Sequence, residues 1–354
     1  MGHLYMSGKN PFRPFLDANF VETILRRVFA RRISAFAFQD LLLISLFFLL
    51  SQSVKANEPK LVDLYIPVTT LSAEGSFIVP FQIKDGLVLI SGKVEGEEGW
   101  LVLDSGARRL VLNSQYFQGT GDASSVAYGL GGNISTLSKI KNAALEFEEV
   151  KFERIGADII DLQAIENSKK VRLIGLLGYE VLNQFEIMYN YREGYLTFSA
   201  LDDKGEMINP MPHTQLKVDS MSFSLGNFIP VLTVSINGIE KKMGLDTGAE
   251  INLLHINNND DILGEFNVMR SIKITGSDGR KKEALAGKLY RLKVFDKYTC
   301  AAMSTMLSNL ENFHTIYNTK IDGILGFEFL SPWITSINYK KKMFYLHSFK
   351  TERP

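Results

Sequence analysis

The feature that most constrains this chain is a pair of short stretches, Leu101–Gly106 (LVLDSG) and Met243–Gly248 (MGLDTG). In each, an apolar run meets an Asp, a hydroxyl residue and a Gly. The apolar run reads as a buried strand that delivers a carboxylate to its exposed end. The hydroxyl residue can hydrogen-bond at close quarters, and Gly lets the backbone turn sharply. One such triplet is weak evidence. Two in matching surroundings are a constraint.

The surroundings do match. Gly96 lies eight residues before Asp104 and Gly238 eight before Asp246, each in a predicted strand, tight turn and second strand. Both triplets continue into Ala, at 107 and 249. Downstream come the apolar runs Leu173–Gly178 (LIGLLG) and Ile321–Gly326 (IDGILG). After each follows a short helical stretch (Tyr179–Phe185; Phe327–Trp333) and a hairpin, Glu186–Phe198 turning at 192–194 and Ile334–Leu346 turning at 340–342. This is an internal duplication of about 130 residues.

The chain of 354 residues, 45% hydrophobic, has material for two packed lobes. Lobe one is expected at 76–200 and lobe two at 221–348, with the polar, Pro- and Gly-containing segment 201–220 as linker and 57–75 as a lead-in with a strand at Leu61–Val68. β-Branched and aromatic residues alternate with polar ones between Gly-rich turns, so the fold class is mainly β. Helical periodicity is confined to Ile159–Lys169 and Met306–Tyr317. Lys and Arg balance Asp and Glu at 39 each, which gives no reason to expect a nucleic-acid partner.

Residues 1–56 have the layout of an export signal. Arg26, Arg27, Arg31 and Arg32 precede an apolar block at 35–50, and Val54-Lys55-Ala56 forms a small-residue cleavage site. The expectation is a cleaved signal peptide and a periplasmic or secreted protein. The alternative is an uncleaved anchor that associates with the inner membrane through residues 35–50. Cys300 is the single cysteine, so no intrachain disulfide can form, and its neighbours are those of a packed, inert thiol. The five histidines, His3, His213, His255, His314 and His347, show no metal-ligand spacing. His255 reads as packed or hydrogen-bonded, and Asp260-Asp261 as a solvated loop. No metal and no cofactor is expected.

LDSGA and LDTGAEINLL, each followed at about 70–80 residues by Leu-Leu-Gly or Ile-Leu-Gly, resemble the retropepsin-like aspartic peptidases, in the superfamily of pepsin and the retroviral proteases. The resemblance covers about 76–348. It implies two tandem closed β lobes related by pseudo-two-fold symmetry. It makes Asp104 and Asp246 the catalytic carboxylates, Ser105 and Thr247 their hydroxyl braces, and Gly106 and Gly248 the turn residues. It also implies flaps over the cleft, for which Tyr128, Gly129, Gly131 and Gly132 in lobe one and Gly276 and Gly279 in lobe two are the candidates.

Two carboxylates about 3 Å apart cannot both ionise, so they share one proton. The ionised one takes a proton from water while the protonated one polarises the scissile carbonyl. The expected function is that of an exported aspartic endopeptidase acting on a peptide or protein substrate, active as a monomer because both half-sites lie in one chain. Ala107 and Ala249 stand where pepsin-like relatives carry Ser or Thr, so a mildly acidic optimum, roughly pH 5–6, is expected. Lobe one departs from the family pattern at Arg108-Arg109, and Ile174 stands where lobe two has Asp322. These departures leave one alternative, lobe one as a degenerate copy in a non-catalytic peptide-binding protein on the same fold; a membrane-anchored processing factor with one client is a third reading.

Overall fold

Strands dominate the protein, as the alternating β-branched and aromatic residues predict. In a computed structural model the chain is described over residues 75–120, 126–129, 132–135, 138–211, 215–258, 260–275 and 281–349, with the short strands Leu50–Ser51 and Thr69–Leu71. Residues 1–49 of the expected leader, its expected cleavage site at 54–56, and the predicted strand at 61–68 lie outside the described residues. All described residues belong to one compact unit.

In the first half, Leu87–Val94 and Glu97–Leu103 form a hairpin. Its two-residue turn, Glu95-Gly96, has φ of 48° and 88°. In the second half Ile229–Ile236 and Ile239–Leu245 do the same through Asn237-Gly238, at 52° and 80°. Two-residue hairpin loops match the strand twist when both central residues have positive φ, which places Gly where the chain has it.

Both hairpins deliver their second strand into the same set of pairings. Glu97–Leu103 runs parallel to Leu173–Leu177, which pairs antiparallel with Leu110–Asn113, itself parallel to Val150–Ile160. Ile239–Leu245 runs parallel to Gly323–Leu325, which pairs antiparallel with Asn252–His255, itself parallel to Met303–Ser308. The first sheet closes on itself, because Ser138–Phe147 pairs with both Val150–Ile160 and Leu87–Val94. The second, ten-stranded sheet follows the same order without that closure.

A third, six-stranded sheet takes strands from both halves, in the order Gln215–Ser222, Met343–Phe349, Ile334–Asn338, Phe185–Asn190, Tyr195–Ala200 and Ser76–Pro80. Its centre is the antiparallel pair Phe185–Asn190 with Ile334–Asn338, in which Ile187 faces Ile337. Phe77, Phe185 and Phe198 pack from this sheet into the largest core cluster. Such ring pairs contribute about 0.5–1.5 kcal/mol each beyond their area.

The structure departs from the sequence reading in the helical stretches and in the linker. Ile159 and Ile160 end a strand, and the helix runs only over Gln163–Lys169. Met306 is likewise in the strand Met303–Ser308, with the helix at Glu311–Ile316. Each apolar run is held in a strand by its parallel partner, and its spacing alone fits either element. Part of the expected linker, Gln215–Ser222, is a strand paired with Met343–Phe349.

Candidate active site

The two Asp residues leave their strands in the same way. The Asp104 N–H donates to the Leu177 carbonyl at 3.0 Å, and the Asp246 N–H to the Leu325 carbonyl at 2.9 Å. Each turn then closes by a backbone bond from the following Ala, Ala107 N–H to the Asp104 carbonyl and Ala249 N–H to the Asp246 carbonyl.

The hydroxyl residues bind the two turns to each other. The Ser105 N–H donates to Thr247 Oγ1 at 3.0 Å, and the Thr247 N–H to Ser105 Oγ at 2.9 Å. Each hydroxyl then donates across the junction, Ser105 Oγ to the Leu245 carbonyl and Thr247 Oγ1 to the Leu103 carbonyl, both at 2.9 Å. Four buried hydrogen bonds thus form a closed reciprocal set. A hydroxyl is needed because it must accept and donate at once.

Gly106 and Gly248 let the carboxyls meet. Each N–H donates to its own Asp, Gly106 to Asp104 Oδ1 at 2.9 Å and Gly248 to Asp246 Oδ1 at 2.8 Å. A Cβ at Gly106 would overlap Asp246 Oδ2, and one at Gly248 would lie 2.6 Å from Asp104 Cγ. Each glycine therefore faces the opposite carboxyl, and a side chain there would have to push that carboxyl aside.

Asp104 and Asp246 are buried. Burial lifts the Asp104 carboxyl well above the usual range, and the neighbouring charge of Asp246 and a hydrogen bond with it push it further. Burial raises Asp246 to about 6, opposed by hydrogen bonds from Gly248 N–H, from the Asp104 side chain and from Gly106 N–H. Burial thus raises the two carboxyls together, as a pair. Oδ2 of Asp246 is buried and has no hydrogen-bond partner among the described residues.

The structure brings together Asp104, Ser105, Gly106, Asp246, Thr247 and Gly248. Of the flap candidates, Tyr128, Gly129 and Gly132 lie in the hairpin of Val126–Gly129 with Gly132–Ser135. Gly131, Gly276 and Gly279 lie outside the described residues. The strands that flank the latter two, Phe266–Thr275 and Lys281–Leu289, pair antiparallel.

Arg108 and Arg109 both reach Glu180, at 3.7 and 3.1 Å. Asn252 accepts from the Gly326 N–H at 2.8 Å, and Asp322 pairs with Lys241 at 3.1 Å. His255 is buried against the His314 ring at 5.3 Å, and burial lowers its pKa. Cys300 is buried, which pushes its thiol up to about 11. Asp260 opens the short helix Asp260–Leu263. Among the described residues no group of three or more His, Cys, Asp and Glu could hold a metal ion.

Sequence reasoning missed four buried groups. Tyr189, Tyr317 and Tyr339 are fully or almost fully buried, and their hydroxyls have no hydrogen-bond partner among the described residues. Burial raises all three phenols, and the charges of both acids raise Tyr317 further. Lys169, also fully buried, reaches Glu250 at 2.8 Å and Asp85 at 3.4 Å. Glu250 lies four residues beyond Asp246, so this pair joins the first half to the turn that carries Asp246. No local pattern marks any of the four, since their surroundings come from distant segments.

Compared with known proteins, the sequence matches neither a protein-family model nor a curated protein.

Proposed function

We propose that this protein is an exported, single-chain aspartic endopeptidase of the retropepsin-like kind. In this reading its halves are tandem lobes related by a pseudo-two-fold axis through the Ser105–Thr247 junction. The observation that carries the reading is the reciprocal hydroxyl set beneath two buried carboxyls that contact each other's glycines. A binding module needs neither the shared proton nor the paired braces.

The chemistry follows from the proton's place. Ionised Asp246 accepts a proton from a water held between the acids, and the resulting hydroxide attacks the scissile carbonyl carbon. Asp104 gives its proton to the carbonyl oxygen, so the tetrahedral intermediate is a neutral gem-diol. The intermediate collapses as the carbonyl re-forms: a hydroxyl proton returns to Asp104, and the proton on Asp246 passes to the leaving nitrogen. The C–N bond breaks and the pair regains its single shared proton. The Ser105 and Thr247 hydroxyls take no part in proton transfer; they hold the two carboxyls at the separation that keeps one proton between them. The hairpin at 126–135 and the one flanking 276–280 are the flaps that exclude water from the cleft.

The test is cleavage of a peptide library by the 57–354 chain, with and without pepstatin, alongside Asp104→Asn and Asp246→Asn. Each substitution should abolish pepstatin-sensitive cleavage while leaving the circular dichroism unchanged. A general acid or base contributes roughly 10²–10⁴-fold, so either variant retaining more than about a tenth of the rate would overturn the assignment.

A further inference from the structure

Lys169 ends the helix Gln163–Lys169, and its side chain is 1% exposed. The helix is anchored in the first half. Ile165 packs in a cluster with Ala107, from the turn that carries Asp104. Glu166 accepts from Asn113 at 2.6 Å and from the Tyr116 hydroxyl. From this base the Lys169 ammonium reaches Glu250 Oε1 at 2.8 Å and Asp85 Oδ2 at 3.4 Å.

The first half also touches Glu250 at its backbone. Asp85 and Gly86, with φ of 48° and 89°, turn the chain between Gln82–Lys84 and Leu87–Val94. A Cβ at Gly86 would lie 3.1 Å from the Glu250 carbonyl oxygen and 3.2 Å from its Cα. One residue of the second half is thus held by the first at both main chain and side chain. The residue that stands four beyond Asp104, as Glu250 stands four beyond Asp246, is Arg108. Its side chain is 45% exposed and reaches Glu180 of its own half at 3.7 Å. The two turns are therefore anchored differently, and that of Asp246 is fastened across the molecule.

A buried ion pair is an inefficient source of stability, because removing both charges from water offsets their attraction. What it supplies is direction. An ammonium between two carboxylates has a preferred place, whereas apolar contact is non-directional. The Ser105–Thr247 bonds join the turns one residue beyond each acid. A second attachment three residues further on, at Glu250, opposes rotation about the first.

We propose that Lys169 is a positioning residue for Asp246: by holding Glu250 from the first half, it fixes the turn 246–250 against the turn that carries Asp104, so that the two carboxyls stay side by side. This rests on the endopeptidase reading of the same site. Burial raises the Glu250 carboxyl, the Lys169 charge and hydrogen bond oppose that rise, and Asp85 adds to it.

The experiment compares wild type with Lys169→Met and with Lys169→Met/Glu250→Leu. The double variant removes both buried charges and fills their space, so it stays informative where the single one fails to fold. In the folded double variant kcat should fall about tenfold or more with KM nearly unchanged, since small misplacements of reacting groups are costly. Acids that move apart raise each other's pKa less, so the alkaline limb of kcat/KM should shift down by about half a pH unit or more. Carbon-13 NMR of aspartate-labelled protein should show the two carboxyl titrations drawing together, without using activity. A folded double variant with wild-type kcat, pH profile and carboxyl titration would overturn the proposal, leave the ion pair as packing alone and leave the endopeptidase reading intact. Wild-type protein without Asp104-dependent cleavage would overturn the endopeptidase reading. The NMR titration then decides the role of Lys169 alone, converging titrations supporting it and unchanged ones overturning it.

Discussion

Replacing Thr247 by Val tests the junction without touching either carboxyl. Val keeps the branched shape and removes the hydroxyl, which lies between the Ser105 N–H at 3.0 Å and the Leu103 carbonyl at 2.9 Å. Thr247 is 1% exposed, so water cannot take over either bond. The stranded Ser105 N–H should cost about 1–3 kcal/mol, and the Leu103 carbonyl up to about 1 more, giving a loss of about 1–4 kcal/mol. Domains are stable by roughly 5–15 kcal/mol, so the loss is readily measured. Equilibrium urea unfolding at pH 7 should show a lower midpoint with an unchanged slope. Ser105→Ala strands the Thr247 N–H and the Leu245 carbonyl and should cost a similar amount. The double variant should lose less than the sum, because the turns separate once the first hydroxyl is gone. A Thr247→Val protein within about 0.5 kcal/mol of wild type, or strict additivity in the cycle, would refute the view that these hydroxyls hold the halves together.

Three other outcomes are expected. Asp158 is buried, neither of its oxygens accepts a hydrogen bond among the described residues, and burial raises its pKa from 3.8 to about 6. The folded state then holds a proton that the unfolded state releases, so this stability is full below about pH 4 and lost by about pH 6, up to about 3 kcal/mol. Asp158→Asn should flatten that fall in urea titrations between pH 4 and 7, and an identical pH dependence would contradict it. Lys169→Met leaves the largely buried Glu250 without its cation and should cost about 3–5 kcal/mol, largely regained in Lys169→Met/Glu250→Leu; no recovery in the double variant would show that the ion pair is not the cause. Gly106→Ala forces the Asp246 carboxyl aside and should reduce kcat/KM by about 10²-fold or more while the protein stays folded; near wild-type cleavage would mean that the close approach is not required.

The turns around the acids were legible because they are written locally. Gly96 and Gly238 occupy positive-φ positions in two-residue loops, and Asp104 and Asp246 end strands whose apolar runs are buried. The helix boundaries were not. Ile159-Ile160 and Met306 belong to apolar runs short enough to suit a strand or a helix, and the parallel partners that decide the matter lie far along the chain. Arg108 and Arg109 were likewise ambiguous until Glu180, from the helix Tyr179–Leu182, was seen to bind both.

What the sequence determined by itself is a mainly β chain with two Asp–hydroxyl–Gly turns in matching frames, since period-two alternation and turn glycines are properties of neighbouring residues. Tertiary structure alone decided which groups meet. Ser105 and Thr247 exchange hydrogen bonds, each glycine faces the opposite acid, and Lys169 crosses to Glu250. It also decided the acidity of the two carboxyls: both are raised from the ordinary range because folding removes them from water and places them side by side. Burial and distance between segments far apart in the chain are properties of the packed molecule, and no stretch of residues carries them.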